Sequence, residues 1–154
     1  MRKYLFCTLI LVASLIMGCQ TDSDTRKIED FNFDWCFTLG DDASYATAEY
    51  DDSSWRKLHL PHDWSVEGEF DANNPSTPAG GALPGGIGWY RKHFTTPNIE
   101  NRVVNVEFDG IFMNSTVYVN GHEVGFRPYG YSSLSYDITP FLNPAGEQNT
   151  IAVR

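Results

Sequence analysis

The sequence predicts an all-β sandwich. Three observations point there. Short runs alternate apolar and polar residues with a period of two, as half-buried strands do. Those runs are separated by clusters of Gly, Pro, Asn and Asp. No segment carries a sustained helical period with caps at both ends.

Taken in order, the elements are these. Phe31, Phe33, Trp35 and Phe37 alternate with Asn32, Asp34 and Cys36, which predicts a first strand with one aromatic face. Cys36 is expected on its polar face. Trp55–Leu60 reads as a short strand ended by Pro61. Trp89–Phe94 lies between Gly88 and Pro97. Val103–Phe108 stops at the turn dipeptide Asp109-Gly110. Thr116–Val119 and His122–Phe126 flank Asn120-Gly121, which predicts a hairpin with a type I′ turn. Leu134–Ile138 and Thr150–Val153 complete the set. Strands at this spacing predict a sandwich or jelly roll. Trp35 and Trp55 are expected in the core.

The first residues read differently. Arg2 and Lys3 precede an apolar run from Tyr4 to Met17. A membrane-spanning helix needs about 20 apolar residues, so this run has the length of a secretory leader. It ends in Gly18-Cys19, which resembles a bacterial lipoprotein signal. The expectation is a leader over 1–18, a lipid on Cys19, a polar tether over 19–28 and a folded domain over 29–154. The anchored protein would sit at the outer membrane or cell surface. With Cys7 removed and Cys19 acylated, Cys36 has no disulfide partner, so core burial must hold the domain together.

Composition excludes several functions. The chain carries 11 Lys+Arg against 20 Asp+Glu, a net charge of −9. A surface that acidic repels phosphate, so nucleic acid is not an expected partner. A (β/α)₈ barrel takes about 250 residues and does not fit in 154. Residues 61–88 are rich in Pro and Gly, but carry neither a phosphate-loop nor a dinucleotide-binding pattern. An irregular stretch that long inside a compact domain is usually functional or disordered.

Several segments together resemble one family. They are Phe33-Asp34-Trp35, Asp51-Asp52-Ser53-Ser54-Trp55-Arg56 and Leu60-Pro61-His62-Asp63-Trp64. Gly85-Gly86-Ile87-Gly88-Trp89-Tyr90-Arg91-Lys92, Phe108-Asp109-Gly110, Val117-Tyr118-Val119-Asn120-Gly121 and Tyr136-Asp137-Ile138-Thr139 follow. Their order resembles the N-terminal sugar-binding domain of family 2 glycoside hydrolases, the β-galactosidase branch above all. The resemblance implies a jelly-roll sandwich of the galactose-binding-domain kind. It implies a carbohydrate ligand, and a catalytic glutamate pair on a barrel outside this sequence. The domain is then expected to be incomplete at its C-terminal edge and inactive alone. A free-standing carbohydrate-binding module and a non-catalytic surface protein are the alternatives.

The candidate substrate-binding residues are Asn73, Asn74, His62, Asp63 and Trp64. Amides both donate and accept, which suits sugar hydroxyls; in the family, an asparagine from this loop reaches the galactose subsite. The two asparagines also read as a plain Asn-Asn-Pro turn. His62 and Asp63 could instead hydrogen-bond the loop and fix its path. Trp64, Trp89 and Tyr90 could stack on a sugar face. Glu67, Glu69 and Asp71 read as a solvated acidic face. Arg91 is expected to pair with a loop carboxylate or to face solvent. His59 and His62 have a zinc-like spacing, but Pro61 excludes the helix that such a pair needs. No metal or cofactor is expected.

Overall fold

The computed structural model describes residues 26–75 and 81–154. The leader, Cys7, Cys19 and most of the tether lie outside the described residues. The chain divides into a unit up to Phe31 and a second unit, Asn32–Arg154. Residues 26–31 carry no regular element.

The second unit is a β-sandwich. Its strands are β1 (Trp35–Leu39), β2 (Arg56–Leu58), β3 (Gly88–Thr95), β4 (Asn105–Phe108), β5 (Ser115–Val119), β6 (His122–Arg127), β7 (Leu134–Asp137) and β8 (Gln148–Val153). One sheet has the order β2-β1-β3-β8-β5-β6, and β4 pairs with β7 in a second. Every pairing is antiparallel. The only helical turns among the described residues are 3-10 turns. The β5–β6 hairpin turns at Asn120 (φ 49°) and Gly121 (φ 82°), the two positive angles that a type I′ turn needs.

The large sheet is buried on both faces. On one, Trp35, Val117, Val119 and Ile151 are almost fully buried. Gly125 lies on this face opposite Val117. A Cβ there would come within 2.1 Å of the Tyr136 ring of β7, so this is the face that the small sheet covers. On the other face, Cys36, Trp89 and Ala152 form a core with Trp55. Tyr45 and Tyr50 close over it, each with its ring about 5 to 6 Å from that of Trp55 in edge-on or tilted contact. Fully burying an apolar side chain contributes roughly 1.5–3 kcal/mol, so both layers matter to stability.

Three expectations need correction. The first strand begins at Trp35, not Phe31. Asp34 takes a left-handed φ of 58°, which breaks the alternating run and leaves Phe33 half exposed. Cys36 is not on a polar face; it is 8% exposed, because residues 43–55 cover the side of the sheet that period-two reasoning left to solvent. Arg91 pairs with a carboxylate, but with one in the 43–55 segment rather than in the 61–88 loop, and it does not face solvent. It is fully buried and donates to Asp52 and to the carbonyls of Tyr45, Thr47 and Tyr50.

Candidate functional site

The long segment between β2 and β3 is built from its base upward. Leu60–Pro61 is a cis peptide. Asp63 then caps a 3-10 turn, Trp64–Glu67, by accepting from the Ser65 N–H at 2.9 Å. The turn is pinned to the far arm of the loop, where Ser65 Oγ donates to the Pro84 carbonyl at 2.6 Å. Gly88 must be glycine. A Cβ there would meet Trp64 Nε1 at 2.9 Å and Phe37 at 3.0 Å, so the indole of Trp64 lies against the start of β3.

His62 organises the base. Its Nδ1 lies 2.9 Å from the Tyr90 hydroxyl and its Nε2 lies 3.2 Å from Glu67 Oε1. The ring packs edge-on against Phe37, 5.0 Å between centroids. Glu67 in turn accepts two hydrogen bonds from Arg56, at 2.6 and 2.8 Å. The Arg56 guanidinium holds the Glu67 carboxyl down at about 2, and the His62 hydrogen bond adds to the effect. Burial, with the Asp63 and Glu67 carboxylates nearby, pushes the Tyr90 phenol up to about 12. Tyr90 is therefore a neutral hydroxyl at any working pH. A carboxylate held this low, and tied to an arginine, is no general acid.

The outer part of the loop carries the asparagines. Asn74 Nδ2 donates to the Ala82 carbonyl at 2.8 Å and to the Glu69 carbonyl at 3.1 Å, so this side chain ties the two arms together. Asn73 is exposed, and its backbone and side-chain N–H groups both donate to Asp71 Oδ1. The structure thus brings His62, Asp63 and Trp64 together at the base and places Asn73 and Asn74 at the outer turn. Glu67, Glu69 and Asp71 are all exposed, as a solvated acidic face requires, with Glu67 also paired to Arg56 and Asp71 Oδ1 accepting within the turn. Sequence reasoning missed Arg56 as the partner of Glu67. Opposite charges 11 residues apart, flanking a proline, carry no periodic signal that could have found it.

His59 belongs elsewhere. Its Nδ1 accepts the Asp34 N–H at 3.1 Å, and its ring meets Phe33 edge-on. No group of three or more His, Cys, Asp or Glu among the described residues could hold a metal ion.

Known proteins place this architecture. The chain is 49% identical over 140 residues to a β-galactosidase of Bacteroides ovatus, covering 89% of this chain and 16% of that protein. A β-glycosidase structure from Bacteroides vulgatus matches 80% of this chain and 16% of its own, with TM-score 0.76 and 45% identity. A family 2 glycosyl hydrolase structure from Bacteroides cellulosilyticus matches 81% of this chain and 17% of its own, with TM-score 0.75 and 40% identity. Proteins named β-galactosidase and proteins named β-glucuronidase both occur among the matches. No family model matches. The chain spans about one sixth of the length of the relatives it matches. In sequence and in fold, this chain is a domain of the family 2 glycoside hydrolase type.

Proposed function

We propose that the domain serves a retaining, β-galactosidase-like enzyme, in which it borders the subsite for the terminal sugar and braces a catalytic barrel. The carboxylate pair of a retaining enzyme, about 5–5.5 Å apart, would belong to that barrel. The observation that carries this reading is the construction of the 61–88 loop. Its base is locked by His62, Tyr90, Glu67 and Arg56, and its outer turn offers the exposed amide of Asn73. A rigid base with a polar tip is what positions a ligand contact. In this reading Asn73 touches the sugar, while Asn74, His62, Asp63 and Trp64 hold the loop that presents it.

Secretion and anchoring form the second part of the proposal. The apolar run ending in Gly18-Cys19 supports a lipid on Cys19 and a place at the outer membrane or cell surface.

The test uses the enzyme that carries this domain, with nitrophenyl β-galactoside and β-glucuronide as substrates. Asn73→Ala should raise KM for the preferred substrate about tenfold, the size of one lost hydrogen bond to a well-placed hydroxyl. An unchanged KM for both substrates would overturn the subsite role.

A further inference from the structure

Tyr131 is 77% exposed, and Phe112, Met113 and Tyr129 are each more than half exposed. They sit on two loops, 109–114 between β4 and β5 and 128–133 between β6 and β7. The rings touch: Phe112 meets Tyr131, and Tyr131 meets Tyr129, each pair 5.8 Å between centroids. An aromatic side chain covers about 150–250 Å², so the rings present a patch on the order of a few hundred Å². A contiguous apolar patch of that size marks a surface that something covers.

The patch is ordered by its own backbone. A Cβ on Gly130 would come within 2.7 Å of the Met113 N and 3.0 Å of the Phe112 Cα, so the two loops lie against each other. The Asn114 N–H donates to the Pro128 carbonyl at 3.2 Å and ties them together. Order that exists before a partner arrives lowers the entropy cost of docking. The place of the loops follows from the strand register. Ser115 of β5 pairs with Arg127 of β6, Val117 of β5 with Val153 of β8, and Val153 with Tyr90 of β3. Both loops therefore stand at the end of the sandwich where the 61–88 loop enters β3.

Chemistry selects the partner. Residues 110–114 and 128–133 carry no charge, in a chain of net charge −9. Aromatic and Met side chains without charged neighbours are the composition of a protein interface core. A glycan is served less well, because the ring pairs cross at 83° and 60° and offer no flat shared platform for a pyranose face. A second copy would bring together two chains of net charge −9, which repel. The matched segment is 16% of the Bacteroides ovatus relative, so there a far larger remainder is available to cover such an end.

We propose that Phe112, Met113, Tyr129 and Tyr131 form the surface on which the catalytic part of a family 2 enzyme docks; this rests on the reading above that the domain serves such an enzyme.

Hydroxyl-radical footprinting, read by mass spectrometry, compares this chain with the enzyme that carries the domain. Phe112, Met113, Tyr129 and Tyr131 should be oxidised in the chain and protected several-fold in the enzyme. Phe33, half exposed at the opposite end of β1, is the reference and should be oxidised alike in both. Tyr131→Ser removes an exposed ring, so it should lower the thermal midpoint of the enzyme and leave that of the chain unchanged. Equal oxidation of the four residues in chain and enzyme would overturn the proposal, as would an equal midpoint shift in both. So would protection in the chain alone that grows with its concentration, which would assign the patch to a second copy. Protection that requires an added neutral oligosaccharide would also overturn it, and would assign the patch to a glycan. None of the expected results depends on substrate, so failure here stands apart from failure of the Asn73 subsite, which the KM comparison reads.

Discussion

Arg91 Nε donates to Asp52 Oδ2 at 2.8 Å, and the guanidinium is fully buried. The pair joins β3 to the 43–55 segment that covers the sheet. Burial would raise the Asp52 carboxyl, but hydrogen bonds from Arg91 and His93 outweigh it and hold the pKa below its ordinary value. Removing one partner strands the other in the core, which costs about 3–5 kcal/mol. Arg91→Met should therefore lower urea-unfolding stability by that order. A loss below 1 kcal/mol, about the value of a surface pair, would contradict the role assigned here.

Tyr136 offers the opposite case. Its hydroxyl is buried and has no hydrogen-bond partner. An orphaned buried hydroxyl costs about 1–3 kcal/mol, so Tyr136→Phe should raise the thermal midpoint. Gly125→Ala should lower it, because a Cβ there would overlap the same ring, and overpacking costs about 1–3 kcal/mol. A midpoint that fell on Tyr136→Phe would point to an unseen partner for the hydroxyl.

The Glu67 carboxyl links the loop to pH. Its pKa falls from 4.5 to about 2 in the folded chain. A lowered folded pKa means stability that is present above the unfolded value and lost as pH falls through the folded one. The loop should therefore weaken between about pH 4.5 and 2. Glu67→Gln should flatten that part of the curve of melting temperature against pH. An unaltered slope would show that the Arg56 pair contributes nothing there.

Cys36 should be chemically silent. Burial pushes its thiol up, Asp52 adds to this, and Lys57 and Arg91 oppose it. Alkylation mapped by mass spectrometry should modify Cys36 only in denaturant. Rapid labelling of the folded chain would mean that the 43–55 cover opens readily.

Expression in a bacterial host with labelled palmitate tests the anchor. Label should enter the unmodified protein and be lost in Cys19→Ser. Label retained in that variant would remove the lipid from Cys19.

The strands were legible because alternation along a strand is a local property. The β5–β6 hairpin was the clearest case, since Asn120-Gly121 fixes its turn from two residues. What failed was whatever depended on contacts distant in sequence. Asp34 adopts a left-handed φ and passes its N–H to His59, so the first strand starts at Trp35, later than the aromatic pattern indicated. The burial of Cys36 needed a cover from residues 43–55, and alternation cannot see a second cover. Arg91 finds Asp52 39 residues away, and Arg56 finds Glu67 across a proline-containing turn. In the loop, composition marked residues 61–88 as special. Only the hydrogen bonds separate Asn74, which ties the two arms, from Asn73, which is exposed.

The most direct measurement is the nucleotide sequence downstream of the codon for Arg154. An open reading frame of several hundred codons is expected, encoding a barrel with two glutamates placed for retaining hydrolysis. A stop codon immediately after Arg154 would contradict it, because the domain would then have no barrel to brace and no catalytic pair to serve.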